Sequence, residues 1–259
     1  MIILKSLASA FLMYSRIPMP QVEWKEENRR YSLCFFPLVG AVIGLLFILW
    51  KCICVRFEIG NFLAGAVSMI IPILVTGGIH LDGFCDVIDA KSSFGDTAKK
   101  LKIMSDPHIG SFAAMRLCIY LILQTALFCE AENISTIIII AIGFALSRAL
   151  SGIAAVTLKN AKSSGSLQEF SNPAHKKITL FTLSVIVILC FAAMLFQDVI
   201  SGVSVIIGTI LCFTYYRFSA YKNFGGITGD LAGWFLQLCE ILILIFAIIG
   251  EKISEVFVL

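Results

Sequence analysis

The chain has 259 residues, of which 59% are hydrophobic and only 14% are charged, and its mean hydropathy is +0.93. Soluble domains carry about 25% charged residues, so this composition excludes an ordinary soluble domain and predicts an all-α, polytopic integral membrane helical bundle. The formal net charge of +3 is too small to indicate a nucleic-acid partner. The apolar composition instead indicates that the protein's partner is the lipid bilayer.

Seven apolar runs are long enough to cross a bilayer, which requires about 20 apolar residues per helix. A shorter apolar stretch at 1–14 precedes them and predicts an interfacial or re-entrant helix, because it has no small-residue cleavage site of a signal peptide. No repeat or linker divides the chain, so residues 1–259 are expected to form a single domain. The predicted spans are 33–50, 62–79, 112–129, 134–158, 178–196, 199–216 and 231–249.

Lysine and arginine are distributed unequally between the two sides that seven spans separate. One side holds most of them, and the other side holds three. The positive-inside rule therefore predicts that the cation-rich side is cytoplasmic in a cell membrane. That side also carries all three histidines and six of the seven aspartates, so the reactive groups are expected to face the cytoplasm. The cation-rich segments are 15–32, 80–111, 159–177 and 217–230.

Three aspartates follow the second predicted span at a spacing that a helix brings to one face. Asp82, Asp86 and Asp89 are four and then three residues apart, which at about 100° per residue places their carboxylates within roughly 40° of one another. Like charges so close raise one another's pKa, and a divalent cation relieves this repulsion. Because Mg²⁺ binds a few carboxylates together with substrate phosphates, the spacing predicts magnesium-dependent phosphate chemistry at a membrane face.

Glycine-rich turns stand at two of the predicted membrane boundaries. Gly77 and Gly78 precede the three aspartates, and Gly229 opens the last span. Such turns let backbone N–H groups approach phosphate oxygens, although a helix end alone also explains a glycine pair. The aspartate beside each turn favours the first interpretation, so these three glycines are expected to bind substrate.

Asp106 has both a structural and a chemical interpretation. Either Ser105 or Asp106 caps the third span, with Pro107 as its first helical residue, or Asp106 takes part in catalysis. The histidine that follows, His108, is weak evidence by itself.

Two charged residues lie inside predicted spans, where a charge costs about 2.5–3.5 kcal/mol and normally has a partner. Arg148 either forms a structural ion pair with Glu240 or binds a phosphate through its guanidinium group. Lys162, beside the Ser-Ser-Gly turn at 163–165, is a candidate for binding an anionic substrate.

Several motifs, taken together and in order, resemble a known family. The most specific are Gly-Gly-Ile-His-Leu-Asp-Gly at 77–83 and Gly-Ile-Thr-Gly-Asp at 226–230. The chain resembles the adenosylcobinamide-GDP ribazoletransferases, also called cobalamin synthases. The motifs that carry the resemblance lie at 11–20, 36–44, 77–89, 106–112, Arg148 and 226–240.

The resemblance implies a Mg²⁺-dependent membrane transferase in the last steps of cobalamin biosynthesis. Such an enzyme joins adenosylcobinamide-GDP to α-ribazole, or to α-ribazole 5′-phosphate, and releases GMP with adenosylcobalamin or its 5′-phosphate. The resemblance also implies roles for individual residues. Asp82, Asp86 and Asp89 would bind the metal, and Asp82, Asp86, His80, Asp106 and Asp230 would form the catalytic site.

Four positions depart from the family pattern. Lys102 stands where the pattern has an acidic residue, and Gln237 stands where it has a glutamate. His108 and Lys162 replace arginines. The aspartate cluster itself is complete.

The reaction requires a base that accepts a proton from the attacking sugar hydroxyl, and an aspartate is the first choice. His80 is only the second choice, because on a continuous helix its side chain would lie about 160° around the helix axis from that of Asp82. His80 could join the site only if the helix began after it.

Whether the protein forms a homo-oligomer is left open by the sequence.

Two other functions share some of these features. A CDP-alcohol phosphotransferase that makes phospholipid also has an Asp-Gly start, but that family requires Ala-Arg where Asp86-Val87 stands. An ion-coupled transporter could use the three aspartates as a cation site. The predicted position of the acidic motifs at a membrane face, rather than at the midplane, disfavours a transporter.

Overall fold

The computed structural model describes residues 2–162 and 166–258, and the regular structure in these ranges is helical apart from one isolated β-bridge. The helices are α1 (Ile2–Tyr14), α2 (Glu26–Arg29), α3 (Ser32–Arg56), α4 (Asn61–Thr76), α5 (Ile79–Ser92), α6 (Thr97–Ile103), α7 (Ser111–Glu130), α8 (Ile134–Thr157), α9 (Ser166–Ser171), α10 (Lys176–Gln197), α11 (Val199–Phe224) and α12 (Gly229–Val258).

Six of these helices are long and apolar enough to cross a membrane: α3, α7, α8, α10, α11 and α12. Helices α4 and α5 provide a seventh candidate only when taken together, because a bend of 95° separates them. The predicted fold class, a polytopic helical bundle, is therefore confirmed. Helix α1 has 13 residues and a length of about 20 Å, which is shorter than the hydrocarbon core of a bilayer.

Several helices extend beyond the apolar runs from which they were predicted. Helix α11 continues from the predicted end at 216 to Phe224. The prediction followed the apolar run, whereas the helical backbone continues into the polar residues after it. The predicted span 62–79 is wrong at its end, since α4 stops at Thr76. The two glycines that follow explain this early stop.

Gly77 and Gly78 turn the chain between α4 and α5. Their φ angles are +66° and +79°, in the left-handed region that glycine adopts without a steric penalty from Cβ. The N–H groups of both residues donate to the carbonyl oxygen of Ile73 and so close the end of α4. The bend sends α5 across one end of the bundle, here called the α5 end, where it packs on α12 and α7. Helix α5 is not by itself a candidate membrane span.

Helix α5 crosses the start of α12 at a contact between backbones. A Cβ atom on Gly83 would lie 2.7 Å from the carbonyl oxygen of Asp230, and one on Gly233 would lie 3.1 Å from that of His80. Glycine at both positions allows this close approach. The crossing brings Asp230 next to the helix that carries the three predicted metal ligands.

A short backbone pairing fixes the loop after α8 against the loop before α12. The N–H of Ile227 donates to the carbonyl oxygen of Lys159 at 2.8 Å, and the N–H of Ala161 donates to that of Ile227 at 2.9 Å. This isolated parallel bridge brings the next residue, Lys162, to the α5 end.

The glycine crossing makes a testable prediction about stability. We expect Gly83→Ala to destabilise the protein by about 1–3 kcal/mol, because the new methyl group would meet backbone atoms that cannot rotate away. Gly60→Ala is the matched control, since a Cβ atom there meets nothing within 4 Å. Equilibrium unfolding in detergent micelles measures the difference. Equal stability of the two variants would contradict the close crossing.

Candidate active site

Acidic side chains from α5 and α12 converge at the crossing of the two helices. Burial raises the pKa of Asp86, and the negative charges of Asp82, Asp230 and Asp89 raise it further, to about 7. The ammonium group of Lys162 acts in the opposite direction. The site thus concentrates negative charge, and Lys162 partly offsets this charge at Asp86.

Asp89 has a second role that the sequence did not reveal. Its Oδ2 atom accepts a hydrogen bond from the N–H of Gly110 at 2.6 Å, and its Oδ1 atom accepts one from Ala113 at 3.0 Å. A carboxylate in this position satisfies free N–H groups at the start of α7 and favourably opposes the helix dipole. Asp89 shares the helical face of Asp82 and Asp86, and its metal-binding role stays a prediction.

The structural interpretation of this segment, in which Ser105 or Asp106 caps α7, is wrong. Helix α7 begins at Ser111, with Gly110 before it, and Pro107 lies outside the helix. The physical reason is that Asp89 supplies the cap from a different helix, a contact that local sequence cannot show.

Asp106 instead holds His108 at the rim of the site. Its Oδ1 atom accepts a hydrogen bond from the backbone N–H of His108 at 3.0 Å and lies 2.8 Å from Nδ1 of the same residue. These two hydrogen bonds keep the pKa of Asp106 below its usual value. Both side chains are exposed, and His108 is the one that lines a cavity.

His80 is buried at the start of α5. The helix begins at Ile79, so the condition that would have brought His80 onto the aspartate face, a start after His80, is not met. Burial, together with the positive charge of Arg148, lowers the pKa of His80 to about 3, so its ring is neutral near pH 7 and a weak base. Its Nε2 atom has no hydrogen-bond partner within residues 2–162 and 166–258.

Two cavities meet at Asp82, Met13 and Ile79, which line both. The larger cavity, of about 630 Å³, has a mixed polar lining and is called here the polar cavity. The smaller, of about 90 Å³, is called the aromatic cavity. The polar cavity is also lined by Arg16, Gly77, Gly78, Asp86 and His108, and the aromatic cavity by Tyr14, Phe36, His80, Gly229 and Asp230.

The glycines predicted to bind substrate are all at these cavities. Gly77 and Gly78 line the polar cavity, but their N–H groups already donate to Ile73. Gly229 lines the aromatic cavity as the first residue of α12. The structure thus shows a bend and a helix start at these positions, and their contact with phosphate stays a prediction.

Arg148 and Glu240 form an ion pair between α8 and α12, and both are buried. The Nη1 atom of Arg148 also donates to the carbonyl oxygen of Phe144 at 3.1 Å and to Oγ of Ser147 at 3.0 Å. The structural pair that the sequence left open is therefore present. Arg148 lines neither the polar nor the aromatic cavity, so the structure does not bring it to the acidic cluster.

Lys162 lies beside the acidic cluster, as its effect on Asp86 shows. Its Nζ atom donates to Oγ of Ser105 at 3.1 Å, which ties the loop after α8 to the loop before α7. The turn at 163–165, which the sequence analysis placed beside it, lies outside the described residues.

Comparisons with known proteins agree over almost the whole chain. A family model described as cobalamin-5-phosphate synthase matches residues 6–248. A protein of Lachnoclostridium phytofermentans, named adenosylcobinamide-GDP ribazoletransferase, is 42% identical over 96% of this chain and 95% of its own. A protein of the same name from Treponema denticola is 34% identical over 93% of this chain and 96% of its own. Another from Clostridium botulinum is 30% identical over 92% of this chain and 94% of its own. No solved structure matches the chain.

The buried ion pair makes a prediction about stability. We expect Arg148→Met to lower the free energy of unfolding by about 3–5 kcal/mol, because it leaves the carboxylate of Glu240 buried without its partner. The double variant Arg148→Met/Glu240→Leu should recover most of this loss, since neither charge remains. A double-mutant cycle of unfolding free energies in detergent measures the coupling. Losses that simply add would contradict a structural pair.

Proposed function

This chain belongs to the cobalamin-5-phosphate synthase family, and we propose that it is a transferase acting on adenosylcobinamide-GDP. It joins this donor to α-ribazole, or to α-ribazole 5′-phosphate, and releases GMP. The observation that carries the proposal is the convergence of Asp82, Asp86 and Asp230 where the two cavities meet, in a chain that matches the named relatives over almost its whole length. Two cavities that share one acidic junction suit a reaction between two substrates.

We further propose Mg²⁺ as the cofactor, held by Asp82 and Asp86 with Asp89 on the same helical face. The carboxylate oxygens are ligands that this ion prefers, and the pKa of Asp86 is raised by burial and by a repulsion between carboxylates that a cation would remove. No three acidic, histidine or cysteine side chains in the described residues form a ready-made metal site. Mg²⁺ is compatible with this, because it commonly takes one or two carboxylates and completes its shell with phosphates and water. When bound, the ion supplies positive charge for the diphosphate.

The residues around the cluster suit in-line transfer to a hydroxyl group. The acceptor hydroxyl attacks the cobinamide-side phosphorus, and the bond from this phosphorus to the bridging oxygen breaks, so that the oxygen leaves with GMP. Asp230 lines the aromatic cavity and is not assigned to the metal, so it is our choice to accept the hydroxyl proton. Lys162 would offset charge on the phosphates. His80, neutral and buried, would orient the acceptor through Nε2 rather than act as the base.

We propose that the α5 end faces the cytoplasm from the cell membrane. The lysine- and arginine-rich segments that the sequence analysis placed on one side all connect helices at this end. Phe94, in the loop after α5, is almost fully exposed and reports on this side, whereas Glu58 reports on the opposite end.

Cysteine labelling tests this orientation. In a chain whose exposed Cys52 and Cys118 are replaced by serine, a membrane-impermeant maleimide added to intact cells should label Glu58→Cys but not Phe94→Cys. Permeabilised cells should show both labels. Labelling of Phe94→Cys alone in intact cells would contradict the proposed orientation.

The activity is tested directly by the aspartates. Purified protein with adenosylcobinamide-GDP, α-ribazole and Mg²⁺ should release GMP and form a cobalamin product, and chelation of the metal should stop the reaction. We expect Asp82→Asn and Asp86→Asn each to lower the rate by about 100- to 1,000-fold or more, because each removes charge that the bound cation requires.

Asp96→Asn is the matched control for these variants. Asp96 lies on the same side of the chain but caps α6 by accepting a hydrogen bond from Lys99, and asparagine caps helices equally well. It should leave the rate unchanged. Near-wild-type activity in Asp82→Asn or Asp86→Asn would refute the role of the cluster, and no GMP release by the unaltered chain would refute the proposed function.

A further inference from the structure

Arg16 is a cation in the polar cavity that the proposed function has not used. Its side chain is exposed and lines this cavity together with Asp82 and Asp86. It forms no ion pair within residues 2–162 and 166–258. An arginine that lines a cavity with two carboxylates, yet pairs with neither, is available to a ligand.

The chain holds Arg16 in place by two contacts with the end of α4. Its backbone N–H donates to the carbonyl oxygen of Val75 at 2.7 Å. Its side chain passes directly over Gly77, where a Cβ atom would lie 2.5 Å from Nε and 2.7 Å from Cγ of Arg16. The absence of a side chain at Gly77 therefore makes room for the arginine as well as for the bend.

Opposite charges share this cavity without touching. The acidic carboxylates and the guanidinium group line a volume of about 630 Å³, which leaves space for a group that satisfies both. A diphosphate is such a group, because its oxygens accept the paired hydrogen bonds of a guanidinium and also share a cation with carboxylates.

We propose that Arg16 binds the phosphate of the guanosine nucleotide, first as part of the donor diphosphate and then as GMP. This rests on the proposed function. As the acceptor hydroxyl attacks and the bridging oxygen leaves with GMP, the guanidinium group stabilises the negative charge that develops on the departing phosphate. A lipid headgroup at the membrane surface carries the same phosphate-ester group. The experiment below therefore distinguishes binding of the nucleotide from binding of lipid.

Nucleotide binding without turnover gives the first readout. The full chain in nanodiscs of neutral lipid is titrated with GDP and Mg²⁺. We expect Arg16→Gln to raise the Kd for GDP by about 10- to 100-fold, since a hydrogen bond between charged groups is lost, and Arg16→Lys to give an intermediate loss. Arg30→Gln is the matched control, because this exposed arginine on the same side does not line the polar cavity.

Steady-state kinetics give the second readout. For Arg16→Gln, the KM for adenosylcobinamide-GDP should rise by a similar factor, while the KM for α-ribazole and the unfolding midpoint stay unchanged. If Arg16→Gln does not fold, Arg16→Lys decides between the same outcomes.

Three outcomes would overturn the proposal. The first is a Kd for GDP that Arg16→Gln leaves unchanged. The second is an equal rise in KM for both substrates, which indicates general disturbance of the site. The third is an effect that appears only when anionic lipid is added to the discs, which assigns Arg16 to lipid headgroups. Binding of GDP through Arg16 by a chain that forms no cobalamin product would instead contradict only the proposed function.

Discussion

The contact between the backbones of α5 and α12 is the constraint on which the site depends. Gly83 and Gly233 allow the two helices to cross at a distance that a Cβ atom would prevent. The left-handed glycines at the end of α4 make the crossing possible, because they turn α5 across the bundle instead of along it. As a result, carboxylates from two helices distant in the sequence lie together at one end of a membrane bundle.

The electrostatics of this end are organised around an excess of negative charge. Burial and three neighbouring carboxylates raise the pKa of Asp86 to about 7, and Lys162 compensates only in part. Arg16 is a further cation at this end; it lines the polar cavity and forms no ion pair in the described part of the chain. This arrangement is poorly balanced by itself and would be balanced by a divalent cation together with a diphosphate. This imbalance supports a metal-dependent phosphate site, whereas the choice of adenosylcobinamide-GDP as substrate rests on the likeness to the named relatives.

The features that sequence could predict are those with a local period. Apolar runs of sufficient length correctly predict the six long apolar helices, and the spacing of the three aspartates correctly predicts one helix, α5. A pair of Arg148 with Glu240 was one of two interpretations, because buried charges in spans need partners, and the structure contains this pair. Long-range contacts had no such signal: the cap that Asp89 provides for α7, the bridge that places Lys162, and the cavity that Arg16 shares with the aspartates. Each depends on how distant segments pack, which spacing within one helix cannot encode.

Metal binding in the absence of substrate tests the central claim most directly. Mn²⁺, a paramagnetic substitute for Mg²⁺, can be titrated into the purified protein and its binding followed by electron paramagnetic resonance. We expect a bound Mn²⁺ ion whose affinity falls in Asp82→Asn and Asp86→Asn and is unchanged in Asp96→Asn. Equal Mn²⁺ affinity in all three variants and the unaltered chain would show that these carboxylates do not act together on a cation.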